Sequence, residues 1–207
     1  MTVQAHLRDE PDAWPVTRSE VLATSSVVLI RRDTVRMPDG AAVDRDVVEH
    51  PGAVAVVGID NDGRVLLIRQ YRHPVRRQLW EIPAGLRDVP GEPLLATAQR
   101  ELLEEAGYRA GTWHVLADYF SSPGFSTERL RIFLARDLTL VPESEREYVP
   151  DHEEAHLLVE WVPLEAVVSG VLAGDLHNGV LAVGALAAHT ARQRAFAGLR
   201  AADVSER

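Results

Sequence analysis

The chain has 207 residues, of which 46% are hydrophobic and 26% charged, so it is long enough to bury one sizeable core. Its 31 acidic and 22 basic residues give a net charge of −9, which argues against a nucleic acid polymer or an acidic membrane surface as partner. The absence of cysteine excludes disulfides and thiolate metal sites, and without a long apolar run or signal peptide a soluble cytoplasmic protein is expected.

The ends of the chain are expected to lie outside the main core. Residues 1–18 are polar and interrupted by prolines, which predicts a flexible N-terminal arm. Residues 19–50 are rich in β-branched side chains and predict a β-rich segment of short strands. The main domain is then expected at residues 51–200, followed by a flexible tail at 201–207.

Two apolar runs predict a β-hairpin. Residues 53–59 and 64–71 are typical of strands, and Asp60–Gly63 joins them. An Asp-Gly pair suits a tight turn, because glycine adopts the positive φ that such turns require. A turn is also predicted at Pro38–Gly40, between two short strands of the N-terminal segment.

The clearest helix signal lies at residues 93–106. Pro93 suits the first turn, an apolar stripe follows at helical spacing, and Gly107 is placed to end the helix. Further strands are predicted at 113–120, 130–135 and 155–162, an acidic loop at 140–154, and helices at 163–173 and 178–199. The last helix is apolar on much of its surface and is expected to pack against the sheet or a second subunit. Together the elements predict an α+β fold.

Three glutamates at the end of the predicted helix conflict with two local rules. Glu101, Glu104 and Glu105 are spaced i, i+3 and i+4, so they project from one face. Like charges at this spacing destabilise a helix by about 0.2–0.5 kcal/mol per pair, and the last helical turn favours cations. A solvated acidic face is the ordinary interpretation, whereas a hard cation such as Mg²⁺ or Mn²⁺ would resolve both conflicts.

The surrounding residues favour the metal interpretation, because the glutamates belong to a longer pattern. In chain order the pattern comprises Gly85, Glu92, Arg100, Glu101, Leu102, Glu104, Glu105 and Gly107. It resembles the box of the Nudix hydrolases, G-x5-E-x7-R-E-U-x-E-E-x-G-U, in which U is a bulky aliphatic residue. Two positions depart from the box: six residues instead of five separate Gly85 from Glu92, and Tyr108 takes the last aliphatic position.

The resemblance implies a Nudix-type α/β/α sandwich with a mixed sheet at residues 51–200, plus the N-terminal β-rich arm. It implies a hydrolase that acts on nucleoside diphosphates linked to another moiety. The implied ligands of the divalent cation are Glu101 and Glu105, with Glu104 and the backbone carbonyl of Ala84 as further ligands. Glu92 is expected to pair with Arg100 and tie the loop to the helix.

Features outside the box resemble the ADP-ribose pyrophosphatase branch of the family. Pro123 lies 16 residues after Gly107, and the segment that follows it matches the downstream proline signature of that branch. A plain Pro-Gly turn is the alternative interpretation. The implied substrate-binding residues are Arg45, Arg72, Leu86, Ser126 and Glu128.

The resemblance places the general base in the acidic loop, because the box carboxylates hold metal. Glu154 is the first choice and Glu153 the alternative, since a shift of one residue in the loop stays open. The base would take or orient a proton of the attacking water.

A basic run stands out in this acidic chain. Its members are Arg69, Arg72, Arg76 and Arg77. Alternation along a strand places Arg69 on the opposite face from Arg72, so the four side chains cannot line one site. Solvated charge on an edge strand is the favoured interpretation of Arg76 and Arg77.

The implied reaction is the Mg²⁺-dependent hydrolysis of ADP-ribose, or a similar ADP-sugar, to AMP and a sugar phosphate such as ribose 5-phosphate. Two alternatives stay open: hydrolysis of another nucleotide sugar such as GDP-mannose, and a non-hydrolytic Nudix-fold nucleotide sensor. Val27–Ile30 contains no aromatic residue to pack on adenine, which weakens the adenine assignment. The resemblance also implies a homodimer with residues 19–50 in the interface.

Overall fold

The computed structural model describes residues 7–146 and 157–206. The first seven strands are β1 (Val16–Thr24), β2 (Leu29–Arg36), β3 (Ala42–Glu49), β4 (Ala53–Gly58), β5 (Arg64–Arg72), β6 (Arg77–Glu81) and β7 (Ala84–Leu86). They are followed by β8 (Tyr108–Phe120), β9 (Arg129–Leu140), β10 (Leu158–Pro163) and β11 (Arg200–Ala201). The helices are α1 (Leu94–Ala106), α2 (Leu164–Ala173) and α3 (Gly179–Gln193). None of the helices in these residues has the length and apolar character that crossing a membrane requires.

The strands form three sheets. The first contains β1, β2 and β3, the second has the order β10-β5-β6, and the third has the order β11-β8-β9-β4-β7. In the third sheet β4 is parallel to β9 and antiparallel to β7, so this sheet is mixed. The predicted α+β fold with a mixed sheet is therefore confirmed.

Two apolar cores hold the helices against the strands. One core contains Val54, Val56, Ala98, Leu102 and Phe133, and the other contains Ala55, Val57, Ile132, Leu181 and Ala185. Successive side chains of a strand point to opposite faces, so β4 and β9 supply apolar residues to both cores. Helix α1 packs on one face, and α2 and α3 pack on the other, which gives the α/β/α arrangement expected from the sequence.

The predicted hairpin at residues 53–71 is only half right. The turn forms, with Gly63 at φ +75° and its N–H donating to the Asp60 carbonyl at 3.1 Å. However, the two strands share only the bridge between Ile59 and Val65, and they then enter different sheets. Both strands are largely apolar on both faces, so each is buried as an interior strand of its own sheet rather than as half of a two-stranded ribbon.

Helix α3 is shorter than predicted. It ends at Gln193 rather than near residue 199, because Ala195 and Phe196 both adopt positive φ. The turn brings the Phe196 ring to 4.7 Å from the Arg136 guanidinium carbon, a cation–π contact that a continuous helix would not make. The apolar face of the helix packs on the strands of the same chain.

The N-terminal sheet joins the rest of the chain through β3. Strand β1 is exposed along its whole length. Val48 of β3 donates its N–H to the Phe125 carbonyl at 2.7 Å and accepts from the Thr127 N–H at 3.0 Å. These bonds connect the sheet to the loop after β8.

The last residues of the chain make specific contacts. Strand β11 pairs with His114 and Val115 of β8. Asp118 of β8 accepts hydrogen bonds at 2.7 Å from Arg131 Nε and from Arg200 Nη1, and Arg131 also donates to the Val204 carbonyl. The Arg131 side chain is only 2% exposed. Asp118 thus joins the sheet to the C-terminal segment.

Asp118→Asn is expected to lower the free energy of unfolding at pH 7 by about 2 kcal/mol, because it removes a charge-assisted partner of the buried Arg131. Burial raises the pKa of Asp118, but hydrogen bonds from Arg131 and Arg200 outweigh it and hold the pKa below its usual range. The stabilisation is therefore present above the unfolded pKa and is lost as the pH falls through the folded pKa.

Urea unfolding at neutral and acidic pH measures this effect. The difference in the free energy of unfolding between the wild-type protein and Asp118→Asn should decrease in acid. Asp62→Asn is the matched control, because the Asp62 side chain is 76% exposed beside Arg64. An equal loss of stability in the two variants would contradict the assignment.

Candidate active site

Helix α1 presents its acidic face because its apolar face is buried. It follows Pro93 and ends at Gly107, whose φ of +75° lets its N–H reach the carbonyls of Leu102 and Leu103. Thr97, Ala98, Leu102 and Ala106 are buried. Because the stripe recurs every three or four residues, the glutamates between its members stand at the edge of the core.

Arg100 lies among the carboxylates of the box. Its Nη1 donates to Glu101 Oε1 at 2.7 Å and to Glu104 Oε2 at 3.0 Å, while Nη2 lies 3.4 Å from Glu92 Oε2. The predicted pairing of Glu92 with Arg100 is therefore confirmed, and Arg100 also neutralises two of the helical glutamates. The hydrogen bond from Arg100 holds the pKa of Glu92 below its usual range, with Thr97 contributing a second one.

Strand β7 lies directly against this acidic face. The Ala84 N–H donates to Glu105 Oε2 at 2.8 Å. A Cβ built on Gly85 would overlap the carboxyl end of the Glu101 side chain. Gly85 is therefore required for the close approach of Glu101 to the β7 backbone, and the box joins strand and helix at one point.

Arg146, which the sequence pattern did not indicate as a site residue, counters the dipole of α1 from outside the helix. Its guanidinium lies at Gly107, where it would overlap an added Cβ, and it donates to the Val141 carbonyl at 2.8 and 2.9 Å. This cation therefore lies beside the negative end of α1.

Arg72 is paired with Glu81, which sequence reasoning missed. Arg72 Nε and Nη2 donate to the two oxygens of Glu81 at 2.9 and 2.7 Å, and the Glu81 side chain is 4% exposed. The two residues lie on neighbouring antiparallel strands, β5 and β6. The sequence contains both residues of this pair, but the pairing could be recognised only once the register of β5 and β6 was known.

Ser126 and Glu128 lie together on the loop after β8, next to β3. The Ser126 Oγ accepts the Glu128 N–H at 3.1 Å, and Glu128 Oε1 lies 3.7 Å from His50 Nε2. Glu128 also accepts from Ser121 Oγ. Burial, with the nearby Glu128 charge, raises the pKa of Tyr119 to about 12.

The remaining predicted site residues are placed separately. Leu86 of β7 is half-buried and pairs with Ala53, next to the acidic face of α1. Arg45 is exposed on β3 and donates to the Asp44 carbonyl at 3.0 Å. Glu153 and Glu154 lie outside the described residues.

Comparisons with known proteins agree with this arrangement. The model of the NUDIX domain matches residues 49–180. The chain belongs to the NUDIX family. It is 47% identical over 171 residues to the ADP-ribose pyrophosphatase of Mycobacterium tuberculosis, covering 83% of this chain and 81% of that protein. It is 38% identical over 124 residues to the ADP-ribose pyrophosphatase of Bacillus subtilis, covering 60% of this chain and 66% of that protein.

A solved structure shows the same Nudix fold. The crystal structure of an ADP compounds hydrolase superposes with a TM-score of 0.69 at 21% identity, covering 90% of this chain and 98% of that chain. The predicted family and fold are thus both confirmed, and the chain is a Nudix hydrolase.

The donor chemistry of the box fits a hard divalent cation. Carboxylate and carbonyl oxygens are the ligands such ions prefer, and Glu101, Glu104 and Glu105 gather negative charge where the helix dipole disfavours it. Among residues 7–146 and 157–206, no three side chains of ligand type already converge on one point. Arg100 and the Ala84 amide occupy several of these carboxylate oxygens instead.

Gly85→Ala tests the contact between β7 and α1. The added methyl group must displace the Glu101 carboxyl, and a displacement of about 1 Å in an enzyme active site costs about 10²-fold in turnover. We expect an unchanged far-UV circular dichroism spectrum and a loss of this order in kcat. Gly179→Ala is the control, because an added Cβ there meets nothing within 4 Å; full activity of Gly85→Ala would refute the contact's role.

Proposed function

We propose that this chain hydrolyses the pyrophosphate bond of ADP-ribose, or a similar ADP-sugar, to AMP and a sugar phosphate such as ribose 5-phosphate, with Mg²⁺ or Mn²⁺. The observation that carries the proposal is the acidic face of α1 held against Ala84 and Gly85 of β7. The similarity to two ADP-ribose pyrophosphatases supports this choice of substrate.

The proposed reaction adds water across one P–O bond. The water oxygen bonds to one phosphorus, the bridging oxygen leaves with the other phosphate, and a proton from water is released. Ala84, Glu101, Glu104 and Glu105 would hold the metal. When bound, the cation neutralises the pyrophosphate and stabilises the leaving phosphate.

Arg100 would act as a positioning residue. Its hydrogen bonds orient Glu101 and Glu104 from the protein side, while Glu92 anchors Arg100 to the loop. The Ala84 amide orients Glu105 in the same way. Glu154, or alternatively Glu153, is our proposed base for the attacking water.

Five residues are proposed to hold the nucleotide sugar: Arg45, Arg72, Leu86, Ser126 and Glu128. Arg72 Nε and Nη2 bind Glu81, which fixes the orientation of the planar Arg72 guanidinium. Arg45 lies on the N-terminal sheet. Its contribution therefore depends on how that sheet is placed in the assembled protein.

A homodimer in the cytoplasm completes the proposal. The first sheet is supported by the rest of the chain mainly at β3, and β1 is exposed along its length. A second copy of the chain would bury this surface. Light scattering at working concentration measures the mass, and a monomer would refute the dimer.

Glu101→Gln and Glu105→Gln are expected to lower kcat for ADP-ribose with Mg²⁺ by about 10²-fold or more, because each removes one charge from the proposed metal site. Release of AMP measures turnover. Glu160→Gln is the control, since Glu160 is exposed on β10. Full activity in the two box variants would exclude the metal assignment.

A substrate panel separates the alternatives in the same assay. Preference for ADP-ribose over GDP-mannose in kcat/KM supports the proposed substrate. Tight ADP-ribose binding by the wild-type protein without AMP release, at any metal concentration, would instead indicate a sensor.

Arg72→Lys should raise KM for ADP-ribose about tenfold and change kcat less, because lysine keeps the charge but cannot hold Glu81 and the substrate in one fork. Steady-state kinetics measures both constants. Arg76→Lys is the matched control from the exposed turn before β6. An unchanged KM in Arg72→Lys would remove Arg72 from the substrate site.

A further inference from the structure

The basic run at residues 69–77 is divided between two faces of one sheet. Arg72 shares a face with Glu81, whereas Arg69 lies directly opposite Trp80 on the other face. The Arg69 guanidinium carbon lies 5.7 Å from the centre of the Trp80 ring. Arg69 is therefore oriented away from the Arg72–Glu81 pair and has a separate environment.

That environment is a cavity of about 330 Å³ between the edge of the β10-β5-β6 sheet and the segment before α3. Arg69 and Trp80 line it from one face of the sheet, and Arg77, which pairs with Arg72 at the start of the edge strand β6, lines it at the sheet edge. Asp175 and His177 line it from the other side. None of these residues belongs to the Nudix box or to the proposed substrate site.

The cavity holds more positive charge than its surroundings balance. Within the described part of the chain, neither Arg69 nor Arg77 forms an ion pair with a carboxylate, and Asp175 is the one acidic residue of the lining. Two guanidinium groups against one carboxylate leave a net positive charge, in a chain whose total charge is −9. Such a concave cationic surface attracts a small anion.

The start of α3 adds to this potential. His177 directly precedes Asn178, whose side chain accepts the Leu181 N–H at 2.8 Å and caps the helix. The positive end of a 15-residue helix therefore lies beside the cavity. It supplements the two arginines, which remain the principal feature.

We propose that this cavity is a second anion-binding site, separate from the candidate active site, that binds a phosphate group through Arg69 and Arg77. The phosphate is either inorganic phosphate or the monoester of a nucleotide. Guanidinium groups bind phosphate oxygens with paired, charge-assisted hydrogen bonds, and the contact with Trp80 holds Arg69 in place.

Trp80 provides a direct readout of the site. The chain has four tryptophans, so a protein labelled with ¹⁵N-tryptophan gives four indole signals, and Trp80→Phe identifies the one from Trp80. Inorganic phosphate is titrated in at constant ionic strength without divalent cations. We expect a saturable shift of the Trp80 signal, with the dissociation constant raised about tenfold or more in Arg69→Gln and Arg77→Gln.

A matched control comes from the same basic run. Arg76→Gln removes an exposed charge next to Arg77 but outside the cavity. This variant should bind phosphate with the wild-type constant. The other three indole signals report whether Arg69→Gln keeps the fold, and Arg69→Lys repeats the test with the charge retained.

A second titration with AMP distinguishes the two sources of phosphate. Tighter binding of AMP than of inorganic phosphate at the Trp80 signal supports a nucleotide ligand, and equal binding supports free phosphate. No saturable shift of Trp80 with either probe overturns the proposal, as does an equal loss of binding in Arg76→Gln, which would indicate general charge screening.

Discussion

The contact between Arg100 and the acidic side chains around it is the interaction on which the candidate site depends. Three glutamates in the last two turns of α1 repel one another and oppose the helix dipole. Arg100 binds Glu101 and Glu104 and reaches Glu92 in the preceding loop. One guanidinium therefore keeps the acidic face folded and also fixes the loop that leads from β7. Arg146, at the end of the same helix, adds a second compensating charge.

The position of this cluster follows from how the strands are buried. Strand β4 is apolar on both faces and lies between β7 and β9, so α1 can pack on one face while α3 packs on the other. Strand β7 is thereby held beside α1. Glu101 can then approach the β7 backbone closely only because Gly85 has no side chain. Packing of the apolar core thus sets the distance between the backbone of β7 and the carboxylates.

Arg69 and Arg72 show how one strand can place two arginines in different environments. Alternation along β5 sends Arg72 to the face of the buried Glu81 and Arg69 to the face of Trp80. The first pair contains Arg72, which is one of our proposed substrate contacts. The second lies at a separate cavity near the start of α3. On our two proposals, this acidic chain uses Arg72 at the substrate site and Arg69 and Arg77 at a separate phosphate site.

The features that depend on local spacing could be predicted from the amino-acid sequence. Helix α1, its end at Gly107 and its acidic face all follow from residues a few positions apart, where periodicity and capping act. The pairing of Glu92 with Arg100 was implied by the resemblance to the Nudix box. The tertiary structure alone decided which strands pair. It separated β4 from β5 despite their tight turn, ended α3 before Phe196, and placed Glu81 against Arg72 and Arg146 at Gly107. Some of these contacts join segments that are distant in sequence, and others depend on the register of paired strands. Burial and strand order determine them, and no local sequence pattern encodes either.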